Sequence, residues 1–204
     1  VGPAPVAKGG PRRAVILAAG KSSRMGEDKE KCALGDNSLL ARTAARLAPQ
    51  VKRLAVNANR AHPLPAGSVL IGDSIGGQPG PLAGILAGLE WAADLHPKPD
   101  HVAFVPVDAP FFPDDLVARL AAAADGNKII VARAGGHVHP VFSLWPVNET
   151  GLLRLNLLSG GPRKVIAYIE TQPHKFVDFD SDEPFFNINT PDDLAAAAAR
   201  LEHA

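Results

Sequence analysis

The chain has 204 residues, 46% hydrophobic and 21% charged, and its 21 Lys and Arg are balanced by 21 Asp and Glu. That length suits one domain with a substantial core, and the balanced charge excludes a general nucleic-acid or membrane-surface binder, since both need a net positive face. The single cysteine, Cys32, cannot form an internal disulfide, no CxxC or His–Cys spacing marks structural zinc, and no apolar run is long enough to span a membrane or act as a signal peptide. A cytoplasmic protein is expected. Residues 1–12, rich in Pro and Gly, read as a flexible leader, and residues 13–204 as one domain.

Val15, Ile16 and Leu17 form a short apolar, β-branched run that breaks into Ala18, Ala19 and Gly20 and then into a basic segment, LAAGKSSRMGEDK. This pattern predicts a buried strand feeding a phosphate loop. Small residues let backbone N–H groups approach an anion, and Lys21, Arg24 and Lys29 bring positive charge to it. It is not a Walker A loop, because the position five residues before Gly20 is Val15, and not a dinucleotide fingerprint, because Ser22 stands where the second glycine belongs. After a Gly35-Asp36-Asn37 turn, Ser38 is a plausible cap for a helix over Leu39 to Leu47 that stops near Pro49. Strands follow at Leu54–Val56, ending in Asn57, and at Val69–Ile71, ending in Gly72-Asp73. In parallel α/β sheets ligands bind outside the carboxyl ends of the strands, which puts Asn57 and Asp73 on the same rim as the opening loop. Both also read as ordinary turn residues.

The segment from Gly76 to Gly84, GGQPGPLAG, leads into a helix running past Trp91. Gly80, Pro81 and Gly84 fit either a helix N-terminus offered to a ligand or a plain connection. His101–Val107 is an apolar strand ending in Asp108, which reads equally as a hard-oxygen ligand for Mg²⁺ or as a turn cap. A helix is expected from Asp114 through Leu120. Lys128–Ala132 and Val138–Trp145, joined at Gly135-Gly136, predict an antiparallel addition to a mainly parallel sheet. His137 and His139 share one face of that strand, but without a third ligand they read as polar surface or pocket lining rather than a metal site. Helices are expected over Asn148–Leu158 and Arg163–Glu170. Arg163 and Lys164 place positive charge at the second helix's start, which an external phosphate or solvent would have to accommodate. Lys175–Phe179 is a last strand, Phe185–Asn189 a short extended piece, and Thr190-Pro191-Asp192-Asp193 a helix start with cap, proline and acidic first turn.

From about Arg13 to about Leu201 the chain resembles the molybdenum cofactor guanylyltransferases of the nucleotidyltransferase superfamily. The resemblance rests on LAAGKSSRMG with Lys29, VNANR (Val56–Arg60), GPLAG (Gly80–Gly84), VPVDAP (Val105–Pro110), HPVF (His139–Phe142), GGPRKV (Gly160–Val165) and NINTPDDL (Asn187–Leu194). It implies a three-layer α/β/α, Rossmann-like fold of the nucleotide-diphospho-sugar transferase type, with a mostly parallel sheet and an antiparallel addition. It further implies transfer of GMP from GTP to molybdenum-bound molybdopterin, with Mg²⁺ and with transient contacts to cofactor-synthesis proteins and molybdoenzyme chaperones. By the same resemblance Leu17, Ala18, Ala19, Gly20, Lys29, Asn57, Asp73, Gly80, Gly84 and Asp108 would bind GTP, and Asp108 the metal. Arg24, Lys29 and Asp108 would carry catalysis, while Lys164, Asn187 and Asn189 would hold the pterin substrate. Guanylyl-transferring members carry two glycines after the leucine-alanine pair, and this chain has Ala19-Gly20. Cytidylyl transfer to the same cofactor is therefore the alternative, with a non-catalytic molybdopterin carrier as a third reading.

Overall fold

The computed structural model describes residues 12–18, 33–60, 63–76 and 80–202. Seven strands form one sheet: β1 (Arg13–Leu17), β4 (Arg53–Asn57), β5 (Ser68–Ile71), β6 (His101–Pro106), β7 (Ile129–Ala134), β8 (His137–Pro146) and β9 (His174–Phe179). Their order is β5-β4-β1-β6-β8-β7-β9. A two-stranded hairpin of β2 (Ala33–Leu34) and β3 (Asn37–Ser38) precedes the first helix and turns at Gly35, whose φ of 64° suits glycine. The strands β5, β4, β1 and β6 are mutually parallel. β8 runs antiparallel to both neighbours, and β9 returns parallel to β7.

The sheet's two faces are built from alternate residues of each strand, as a period of two requires. In β1, Ala14 and Ile16 pack with α1 (Leu39–Leu47), α3 (Leu116–Ala122) and α6 (Pro191–Glu202). Val15 and Leu17 face α2 (Pro81–Ala93), α4 (Thr150–Leu158) and α5 (Val165–Ile169). Every residue of β1 is buried, which is why it lacks a polar alternation: a central parallel strand is covered on both faces. The result is the expected three-layer α/β/α arrangement.

Local signals explain most boundaries. Ser38 caps α1 by accepting from the Ala41 N–H at 3.1 Å, and a 3₁₀ turn over Ala48–Gln50 absorbs Pro49. Thr190 and Asp193 cap α6 reciprocally. The Asp193 carboxylate accepts from the Asn189 and Thr190 N–H groups, both at 2.9 Å, and the Thr190 hydroxyl accepts from the Asp193 N–H at 3.1 Å.

Three expectations shift. α3 starts at Leu116, and Asp114 instead pairs with Arg46 at 3.3 Å. α5 starts at Val165, so Arg163 and Lys164 precede the helix rather than oppose its dipole from inside, and Lys164 keeps an extended cap conformation. Phe185 ends a 3₁₀ turn (Glu183–Phe185) instead of opening the extended piece, its ring buried in an aromatic cluster.

Candidate functional site

β1 is followed by α1 and β4 on one side and, after β5 and α2, by β6 on the other. Chain crossovers therefore diverge between β1 and β6, the usual position of a ligand crevice in an open α/β sheet. Register aligns the carboxyl ends in one row: Leu17 stands opposite Asn57 and Pro106, and Asn57 opposite Ile71. The ladder reaches one residue further, with the Ala18 N–H donating to the Asn57 carbonyl at 2.9 Å and the Val107 N–H to the Leu17 carbonyl at 3.1 Å. Leu17 and Ala18 thus sit at the rim, as expected. Ala19, Gly20, Arg24 and Lys29 lie outside the described residues.

Asn57 and Asp73 come together at that rim. Asn57 is 1% exposed, and its Nδ2 donates to Asp73 Oδ1 at 2.9 Å and to the Ile71 carbonyl at 3.3 Å. Asn59 Nδ2 donates to the other oxygen, Asp73 Oδ2, at 2.7 Å, while Asn59 Oδ1 accepts from the Asp73 N–H at 3.0 Å. The Asp73 carboxylate is thereby oriented from both sides. An amide has two N–H donors, and those of Asn57 are both engaged. The Asn57 amide is therefore spent on holding Asp73 and the Ile71 carbonyl. Asn59, within the VNANR segment, is the partner that residue-by-residue reading of the sequence missed; its spacing of two from Asn57 was the available signal.

Gly84 explains why Asn57 can sit there. A Cβ at Gly84 would lie 2.2 Å from Asn57 Oδ1 and 2.9 Å from Leu17 Cδ2, so only glycine lets α2 press against this pair. One turn on, a Cβ at Gly88 would lie 2.6 Å from the Phe104 ring and 2.8 Å from Val15. Gly80 caps α2 with φ 152°, in the region glycine tolerates, just before Pro81 at the first turn. Since α2 follows a parallel strand, its N-terminus opens onto the same rim, where backbone N–H groups favour anions.

Asp108 lies two residues beyond the end of β6 and is half-buried. The Thr43 hydroxyl donates to the neighbouring Val107 carbonyl at 3.1 Å, and the Ile188 N–H donates to the Asp108 carbonyl at 2.7 Å. The second bond draws the Asn187-Ile188-Asn189 segment to the strand end; Ile188 is buried, Asn187 is exposed and Asn189 half-buried. Lys164 lies outside this bonded group, as an exposed residue capping α5. His137 and His139 do share a face, and both meet Asp182, a residue the sequence reading did not pick out. Among the described residues no group of three or more His, Cys, Asp or Glu is arranged to hold a metal ion.

Comparison with known proteins places this geometry. Residues 14–175 match the family model described as the MobA-like NTP transferase domain. The chain belongs to that family. It is 44% identical over 195 residues to a molybdenum cofactor guanylyltransferase of Sinorhizobium fredii, covering 90% of this chain and 89% of the relative. Among solved structures it resembles the molybdopterin-guanine dinucleotide biosynthesis protein A of Archaeoglobus fulgidus, with TM-score 0.75, 18% identity, and coverage of 94% of this chain and 100% of that one. It also resembles a Mycobacterium tuberculosis protein solved with manganese, with TM-score 0.65, 20% identity, and coverage of 93% and 97%. At these identities the two structures speak for the fold, which is that of a nucleotidyltransferase.

Proposed function

We propose that the protein transfers the GMP moiety of GTP to the terminal phosphate of molybdenum-bound molybdopterin and releases pyrophosphate. The observation that carries this reading is the Asp73 carboxylate, held by Asn57 and Asn59 on the rim that also bears Asp108. A carboxylate only accepts hydrogen bonds. The pairing edge of guanine offers two adjacent donors, N1–H and N2–H₂, which a carboxylate can receive bidentately; cytosine offers one donor flanked by acceptors that would repel it. Asp73 therefore favours guanine whichever small residue follows Ala18. The relatives' name agrees with guanylyl transfer.

In the proposed reaction a terminal phosphate oxygen of molybdopterin attacks the α-phosphorus of GTP. A new P–O bond forms as the bridging bond to the β-phosphate breaks, and its electron pair leaves with pyrophosphate. Such transfer is accelerated chiefly by alignment and charge neutralisation, so no side-chain nucleophile is required. The α2 N-terminus from Gly80 would present backbone N–H groups to the phosphates, and Leu17 and Ala18, whose side chains are small or turned into the sheet, would leave room beside it for the nucleotide. Arg24 and Lys29 would neutralise the triphosphate and the leaving group, and Asn187, Asn189 and Lys164 would hold the pterin substrate.

A single strand-end carboxylate with hard oxygens, Asp108, fits Mg²⁺, which completes its shell with phosphate and water and does not need a cage of protein ligands. When bound, the metal would add positive charge beside the reacting phosphate. Delivery of the product would involve transient contacts with cofactor-synthesis proteins and molybdoenzyme chaperones. Among the described residues no helix is long and apolar enough to cross a membrane; the reaction is placed in the cytoplasm as part of this proposal. Titration calorimetry with GTP and CTP, with and without Mg²⁺, tests the nucleotide half of the proposal. Metal-dependent GTP binding is expected; equal or tighter CTP binding would overturn the base assignment, and no nucleotide binding would favour a carrier.

A further inference from the structure

His137, His139 and Asp182 form a cluster to which the proposed chemistry assigns no role. Residues i and i+2 of a strand project to one face, and here both imidazoles reach the same carboxylate: His139 Nε2 lies 2.6 Å from Asp182 Oδ1, and His137 Nδ1 3.1 Å from Asp182 Oδ2. Because a carboxylate only accepts, each imidazole must carry a proton on the nitrogen that faces it. The hairpin turn beside them is shaped to admit Asp182. Gly135 has φ 54°, and a Cβ there would lie 3.0 Å from the Asp182 Cβ. Asp182 then starts the strap that leads to the NIN segment, its carbonyl accepting from the Phe185 N–H at 2.9 Å.

The strap is pinned at three places. Asp182 is held by the histidine pair. Phe185, buried, stacks on His139 with ring centroids 4.6 Å apart and meets Phe142 and Phe179 edge-on at 5.0 and 5.2 Å. Ile188 donates to the Asp108 carbonyl at 2.7 Å. His139 serves two of the pins, since its ring holds Asp182 through an edge and Phe185 through a face, and its side chain is only 14% exposed. Asn187 lies between the second and third pins and Asn189 just beyond the third.

From this we infer that Asp182, clasped by His139 and His137, is a positioning residue that holds the 182–189 strap so that Asn187 and Asn189 meet the acceptor substrate and Ile188 meets the Asp108 carbonyl. The role of the two asparagines in that statement rests on the proposed function; the clasp itself does not. Breaking a positioning contact misplaces substrate groups without removing chemistry. Asp182→Ala should therefore raise the KM for the molybdopterin substrate by about tenfold, with the KM for GTP and Tm nearly unchanged. Asp182→Asn should recover most of the wild-type KM, because a carboxamide oxygen still accepts from His139 and its amide can donate to the other tautomer of His137.

Hydrogen exchange of the Ile188 amide, measured without substrates, reads the clasp separately from activity. Loss of protection in Asp182→Ala and His139→Gln supports it, even if the wild-type protein fails to turn over GTP, an outcome that would overturn the functional reading alone. Unchanged protection, or equal rises in the KM for GTP and for molybdopterin, would overturn the inference. Should Asp182→Ala fail to fold, His137→Ala, whose side chain is 73% exposed, gives the same readout with a smaller effect.

Discussion

Gly84→Ala is a demanding perturbation for this site, because the added methyl has nowhere to go. It would stand 2.2 Å from Asn57 Oδ1 and 2.9 Å from Leu17 Cδ2, so either α2 moves off the sheet or the Asn57 carboxamide rotates away. Overpacking a rigid core costs about 1–3 kcal/mol. If Asn57, 1% exposed, loses its bonds to Asp73 and Ile71, its buried amide adds about 1–3 kcal/mol. Against this, replacing glycine inside a helix returns about 1 kcal/mol. The net is a destabilisation of about 1–5 kcal/mol, a fall in Tm of roughly 2–20 °C for a domain of this size.

Because Asn57 orients Asp73, the variant should also bind GTP about tenfold more weakly. Differential scanning calorimetry and GTP titration read the two effects. The double variant Gly84→Ala with Asn57→Ala removes the carboxamide that clashes, so its destabilisation should fall short of the sum of the single variants. Strict additivity, or a Gly84→Ala protein with wild-type Tm and GTP affinity, would refute the argument. Gly151, in the first turn of α4, meets nothing within 4 Å and serves as the control: Gly151→Ala should be neutral or stabilise by up to about 1 kcal/mol.

Other outcomes follow from the same geometry. Asp108→Ala should abolish pyrophosphate release while Tm stays within a few degrees of wild type; an active variant would remove Asp108 from the metal assignment. Asp73→Asn turns one acceptor into a donor, and the ratio of GTP to CTP affinity should fall by about tenfold or more, measured by titration. Glu149 is 5% exposed, accepts from the Tyr168 hydroxyl, and has its pKa raised by burial, against the opposing effect of that hydrogen bond. An acid whose folded pKa lies above its unfolded value contributes stability that is present below the unfolded pKa and lost as pH rises through the folded one. Glu149→Gln should therefore match wild type near pH 4 and melt progressively higher than wild type as the pH rises toward neutrality, in scans across that range.

Much of the architecture was legible in the sequence because its signals are local. The apolar run before Ala18, the Ser38 cap and the Thr190-Pro191-Asp192-Asp193 start each depend on neighbours within four residues, and each stands where expected. Boundaries moved where a distant contact decided them: Phe185 is drawn out of extended structure by three rings from two strands, β8 and β9. The same division runs through the site. Asn57, Asp73 and Asp108 could be placed on one rim from strand ends alone. That Asn57 is enclosed with its amide turned onto Asp73 depends on an α2 glycine 27 positions later, a relation no local pattern encodes. The histidine pair lacked a third member in sequence because Asp182 is 43 residues from His139 and joins it only through the fold.

Guanylyl transfer is tested most directly by turnover on molybdenum-loaded molybdopterin with GTP and CTP in parallel, followed by pyrophosphate release and by mass of the dinucleotide product. Product is expected with GTP in the presence of Mg²⁺, with at least tenfold lower kcat/KM with CTP, a margin set by the mispaired Asp73 carboxylate. Equal or faster turnover with CTP, or no pyrophosphate with either nucleotide, would contradict it.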